Sequence, residues 1–148
     1  MARTQGAGSA SGYSGTPLAK KLGIAPGQRV HVAGAPADYA QLVGPLPEGV
    51  RFGKTFDGAT DLAHFFVTQR APLERALRSA RRAMRDDAVL WVSWPKKSSG
   101  VASELTEDTV RAIALPLQLV DIKVCAVDAT WSGLKLVIRR EHRSAGRR

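Results

Sequence analysis

L-A-H-F-F-V (residues 62–67), T-Q-R-A-P-L-E-R-A-L-R-S-A-R-R-A-M-R (68–85) and D-D-A-V-L-W-V-S-W-P (86–95) decide the fold. The first run is almost continuously apolar, as a strand covered on both faces is. In the second, Leu73, Ala76, Leu77, Ala80 and Met84 recur at i, i+3, i+4, i+7 and i+11, which is one stripe of a helix over residues 71–85. Arg75, Arg78, Arg82 and Arg85 fall on the opposite side, and Glu74 precedes Arg78 at the helix-supporting i,i+4 spacing. The third run reads as a second buried strand over residues 88–94, ended by Pro95, which lacks a ladder donor. A strand, a crossover helix and a strand make a parallel pair.

Upstream, residues 1–15 are mostly Gly, Ser and Ala without periodicity and read as a disordered leader. Thr16 suits a helix cap, Pro17 its first position and Gly23 its stop. Pro26-Gly27 makes a turn, residues 29–33 a strand, residues 38–43 a short helix and residues 50–52 a short strand. Downstream, residues 96–103 form a polar loop. Thr106 caps a helix that Pro116 stops, and Leu105 can staple to Val110. Residues 120–127 and 134–139 are strands whose link, 128–133, is short enough for an antiparallel hairpin. Residues 142–148 read as a basic, disordered tail. The expected fold is therefore α/β: a single Rossmann-like three-layer domain over residues 16–141, with a mainly parallel sheet and a C-terminal antiparallel hairpin.

The 148 residues suffice for one core without staples. One cysteine excludes a disulfide framework or a Cys-rich metal site, and Cys125 sits within a strand as a buried residue. His31, His64 and His142 are dispersed, so no metal site is expected; His64 lies in an apolar strand and reads as a buried, hydrogen-bonded histidine. No apolar run approaches a membrane span and no apolar signal core opens the chain, so a cytoplasmic protein is expected. The net charge is +9, and its placement matters more than its size. Residues 70–87 hold six Arg against Glu74, Asp86 and Asp87; residues 139–148 hold five Arg against Glu141. The arginine helix face and the C-terminal tail are thus the candidates for nucleic-acid contact, against a simple solvated face.

In an open parallel sheet, ligands bind beyond the carboxyl ends of the strands. Four segments fall there: 34–38, 68–70, 95–100 and 128–133. Lys96, Lys97, Ser98, Ser99 and Gly100 form the best candidate, because two ammonium groups, two hydroxyls and a Gly-permitted backbone nest suit a phosphate or carboxylate. The alternative is a solvated loop leading into a helix. Trp131 and Ser132 are candidates beside it, with Trp131 either stacking on a ligand or covering the hairpin core. The P-loop spacing is absent, as is the G-x-S-x-G elbow, and no catalytic pair is placed by spacing.

The strings S-G-Y-S-G-T-P-L-A-K-K-L-G-I (11–24), L-W-V-S-W-P-K-K-S-S-G (90–100), L-T-E-D (105–108) and L-V-D-I-K-V-C-A-V-D-A-T-W-S-G-L-K-L-V-I-R-R (119–140) resemble the bacterial family called domain of unknown function 3052. That resemblance covers about residues 11–141 and implies no established activity. More distantly, L-G-I-A-P-G-Q-R-V-H-V-A-G-A-P (22–36), the 71–94 helix–strand unit and the final hairpin resemble class I methyltransferases, which bind S-adenosylmethionine. The family's G-x-G-x-G loop is reduced here to Gly34, with Ala35-Pro36 following. Its acidic residue after the second strand, which holds the ribose hydroxyls, has no counterpart in Val50-Arg51-Phe52-Gly53-Lys54; Asp57 and Asp61 stand elsewhere. One helix–strand unit is missing as well.

The expected function is a non-catalytic Rossmann-like domain that binds a small anionic ligand or a protein partner at the carboxyl-edge loops, with no cofactor. The alternative is an S-adenosylmethionine-dependent methyltransferase with a degenerate cofactor loop. A second alternative is a basic nucleic-acid accessory protein working through Arg75, Arg78, Arg82, Arg85 and the tail.

Overall fold

The computed structural model describes residues 16–143, so the leader and all but the start of the basic tail lie outside the described residues. One six-stranded sheet organises them. Its strands are β1 (Arg29–Ala33), β2 (Arg51–Gly53), β3 (Leu62–Phe66), β4 (Val89–Pro95), β5 (Leu119–Ala126) and β6 (Trp131–Ile138), in the order β2-β1-β3-β4-β6-β5. The first four are parallel; β6 runs antiparallel between β4 and β5. This is the α/β three-layer fold that the strand–helix alternation predicts.

Alternation of side chains splits the core in two. Ala63, Phe65, Leu90, Val92, Trp94, Leu134 and Leu136 face α3 (Arg70–Ala83) and α4 (Glu107–Ala114). Val30, Leu62, Phe66, Trp91 and Val127 face α1 (Leu18–Leu22) and α2 (Tyr39–Val43). Helix α3 buries Leu73, Leu77 and Ala80, the stripe read from its spacing. Trp91, fully buried, ties α1 to the sheet by donating its indole N–H to the Leu22 carbonyl at 2.8 Å. Gly23 ends α1 at φ +82°, and the Thr106 hydroxyl accepts the Thr109 N–H to cap α4.

Several boundaries differ from expectation for local reasons. The strand ends at Pro95, which is the last residue of β4, opposite Trp131, rather than the first beyond it. The Ser93 carbonyl points to the β3 side, where it accepts from Val67, so the Pro95 nitrogen, two residues on, faces the same side beyond the end of β3. No ladder donor is needed there. Trp131 and Ser132 belong to β6 rather than to the link. The Asp128 carboxylate accepts the N–H groups of Thr130 and Trp131, both at 2.8 Å, and closes the hairpin early. Helix α3 stops at Ala83, so Arg85 leaves the arginine face and pairs with Asp61 and Asp87. His142, assigned to the tail, sits in a single 3-10 turn, Arg140–His142.

Candidate functional site

The sheet order creates a switch point. The chain leaves β1 toward β2 on one side, while β3 lies on the other and leads on to β4, so the connections diverge from the carboxyl ends of β1 and β3, the place where such sheets bind ligands. Gly34 makes the turn out of β1 at φ +74°. A Cβ there would lie 2.6 Å from the Phe66 carbonyl oxygen, so the loop crosses the end of β3 too closely for any side chain. The Pro36 carbonyl then accepts the Tyr39 N–H at 3.0 Å, starting α2, while the Asp38 side chain stands exposed.

Beneath this loop lies a closed polar chain. His64 on β3 is fully buried; its Nδ1 lies 3.0 Å from the Tyr39 hydroxyl and its Nε2 2.7 Å from the Ser93 hydroxyl. Burial pushes the imidazole down to about 3, so it is neutral, and the same cause pushes the Tyr39 hydroxyl up. The His64 ring stacks on Phe66 at 4.2 Å, and Phe66 meets the edge of Trp131 at 5.0 Å. The sequence marks His64 as buried and satisfied. It gives no sign of Tyr39 and Ser93 as its partners, because they stand 25 and 29 residues away and only the fold joins them.

The Lys96–Gly100 candidate divides in two. Lys96 is half-buried and donates its ammonium to the Asp128 carbonyl at 2.8 Å, and its N–H donates to Thr130 at 2.7 Å. Ser99 donates to the Lys96 carbonyl at 2.6 Å and accepts from Val101, so both serve the turn itself. Lys97 and Ser98 are exposed, and Gly100 turns in the left-handed region at φ +77°. Trp131 is half-buried against the core, and Ser132 stands between Trp94 and Ala126. These residues gather on the β4–β6 half of the carboxyl edge; Gly34 occupies the β1–β3 half. Between the halves, Thr68, Gln69, Ser103 and Glu104 line a depression of about 280 Å³.

Of the two acids considered for ribose binding, Asp61 lies on the opposite edge. Asp61 precedes β3 and accepts the Arg29 N–H at 2.7 Å, together with the Arg85 guanidinium. Burial works to raise its pKa, but those hydrogen bonds outweigh it and hold the carboxyl low. Asp57 stands 3.6 Å from the Arg29 guanidinium, which packs against Gly53 at the end of β2. Lys54 and Thr55, the first residues after β2, carry no carboxylate. No group of three His, Cys, Asp or Glu among the described residues is placed to hold a metal, and no described helix is long and apolar enough to cross a membrane.

Solved structures share this architecture. A S-adenosylmethionine-dependent methyltransferase from Aquifex aeolicus matches with a TM-score of 0.59 and 18% identity, over 80% of this chain and 86% of its own. Aeropyrum pernix fibrillarin, with natively bound S-adenosylmethionine, gives 0.54 and 16% over 81% and 73%. The magnesium protoporphyrin IX methyltransferase of Synechocystis, also with S-adenosylmethionine bound, gives 0.54 and 14% over 82% and 74%. The likeness is one of fold. No protein-family model matches the chain, and no curated protein does. These comparisons give no support to the domain of unknown function 3052 family. They also leave the expectation of no cofactor without support, since two of the three structures hold one.

Gly34, required by the Phe66 carbonyl beneath it, leaves the loop at the switch point without a side chain, which fits a cofactor approached by backbone. Lys54 and Thr55 after β2 offer a ribose no carboxylate, and Asp57 further along faces Arg29.

Proposed function

We propose that the chain is a methyltransferase-type domain that binds S-adenosylmethionine in the β1–β3 crevice, with reduced affinity. The observation that carries this reading is the switch point, where the loop out of β1 turns on Gly34 directly over the end of β3. Residues 34–38 and the Thr68-Gln69 turn would hold the cofactor. When bound, it supplies an electrophilic methyl group on a sulfonium. A hydrogen bond to a charged group contributes about 1.5–3 kcal/mol, so a ribose lacking its carboxylate weakens binding by roughly a hundredfold.

On this reading, the β4–β6 half takes the methyl acceptor. Lys97, Ser98 and the Gly100 turn suit its anionic group, and Trp131 and Ser132 flank it. Lys96 acts through position, holding the loop against the hairpin. Calorimetry of the full chain against S-adenosylmethionine and its demethylated product tests the proposal. Saturable heat with both is expected; no heat up to millimolar ligand returns the domain to the non-catalytic reading.

A further inference from the structure

We propose that the side of the β5–β6 hairpin turned toward α1 carries a separate binding site for a phosphorylated small molecule, built from Lys20, Lys21, Lys123 and Lys135. A cavity of about 450 Å³ lies there, lined by Thr16, Lys20, Lys21, Lys123 and Cys125 among others. That volume falls within the usual range of small-ligand pockets, about 300–1,000 Å³.

A bulge in the edge strand builds the site. Asp121 pairs with Leu136 and Lys123 with Lys135, so Ile122 is the extra residue. Side chains two apart on a regular strand share a face. Here Asp121 points to the α4 side, where Arg111 holds it at 3.2 Å, while Lys123 points to the α1 side and donates to the Lys21 carbonyl at 3.2 Å. The bulge therefore removes the nearest carboxylate and delivers an ammonium group in its place. Cys125, two residues on, packs on the same α1 side. Burial pushes its thiol up, and Lys21 and Lys123 pull it the other way, so both charges reach the pocket wall.

Lys123 stands directly opposite Lys135, whose ammonium lies beside Gly23 at the end of α1. Like charges opposite each other on neighbouring strands are destabilising. No carboxylate lines the cavity, and among the described residues no ion pair involves Lys20, Lys123 or Lys135. Residues 1–15, which lead into Thr16, contain no Asp or Glu. An anion bearing two or more charges relieves this repulsion, and lysines bind phosphate as point charges without needing a fixed fork. The depression is confined to the α1 end of the β5 edge and has the size of a small-molecule site, whereas the arginines of α3 lie on the other face of the sheet, so the lysines form a local cluster rather than a continuous basic track for a nucleic-acid backbone.

The test uses the full chain at low salt with inorganic phosphate, pyrophosphate and a short oligonucleotide as probes. Pyrophosphate is expected to bind more tightly than phosphate, to raise Tm and to slow alkylation of Cys125. Lys20→Gln with Lys123→Gln is expected to weaken it at least tenfold while leaving the anion-free Tm unchanged or higher. Arg75→Gln, Arg78→Gln and Arg82→Gln together, on the far face, are expected to leave pyrophosphate affinity within twofold. The proposal is overturned if the wild type binds no pyrophosphate, if the arginine variant weakens it equally, or if the lysine variant loses Tm without anion. Preferential binding of the oligonucleotide through the same lysines also overturns it.

Discussion

The centre of the sheet and its β5 edge solve opposite problems with the same kind of strand. On β3 and β4 every side chain from Leu62 to Phe66 and from Leu90 to Pro95 is buried. The polar groups there, His64 and Ser93, close on each other and on Tyr39. On β5, Ile122, Lys123 and Val124 are all exposed, and a bulge switches the strand from one face to the other. The centre is rigid because its polar groups are satisfied internally. The edge turns its polar groups outward, with Asp121 on Arg111 and Lys123 on the Lys21 carbonyl. Both sites proposed above lie on the rims, the carboxyl edge and the β5 face.

Breaking the centre should have the largest effect. His64→Phe keeps the ring stacked near Phe66 but leaves two buried hydroxyls without their partner. A loss of about 2–4 kcal/mol in urea unfolding at pH 7 is expected. The same variant sharpens the pH dependence. The unfolded imidazole takes its proton near pH 6.5 and the folded one only near 3. Between those values the unfolded state binds more protons, so wild-type stability is full above about pH 6.5 and falls as pH drops toward 3. The slope from this residue is about 1.4 kcal/mol per pH unit. Unfolding midpoints across pH 4–7 should show that slope in the wild type and its loss in the variant; equal slopes would place the acid sensitivity elsewhere.

At the rim of the crevice, Gly34→Ala combines a positive φ with a backbone collision and should cost about 1–3 kcal/mol by thermal melting. A neutral result would mean that the loop stands off β3. The 96–100 loop separates two neighbouring lysines. Lys96→Ala loses a half-buried bond to Asp128 and should cost about 1 kcal/mol, whereas Lys97→Ala should stay within about 0.5 kcal/mol. Equal effects would erase the distinction between a positioning lysine and a ligand-facing one. At the β5 edge, Ile122→Thr should change stability by less than about 0.5 kcal/mol, since its side chain is 55% exposed. A larger loss would show that the bulge is packed.

What was legible in the sequence follows from how local its cause is. The α3 stripe, the capped start of α4 and the apolar runs of β3 and β4 are set by residues a few positions apart. The end of β4 was legible to within one residue; that Pro95 joins the strand rather than lying just beyond it depends on β3 having already stopped. The Asp128 closure that moved Trp131 into β6 is a side-chain choice that composition leaves open. At the site, Lys97, Ser98 and Gly100 were readable as an exposed loop. The engagement of Lys96 and Ser99 was not, nor was the Tyr39–His64–Ser93 chain, since each needs partners brought from distant segments. That Lys54 and Thr55 follow β2 without an acid was readable directly; of the two substitutes, the fold places Asp61 at the far edge and Asp57 against the Arg29 guanidinium beside Gly53.

That missing acid allows the most direct test of the central claim. Lys54 follows β2 at the carboxyl edge and is exposed. If the β1–β3 crevice binds S-adenosylmethionine and lacks only its ribose partner, Lys54→Asp should supply it. Calorimetry of the two proteins side by side should then show at least a tenfold tightening for the variant over the wild type. No binding by either protein, or equal affinities, would contradict the assignment of the crevice to this cofactor.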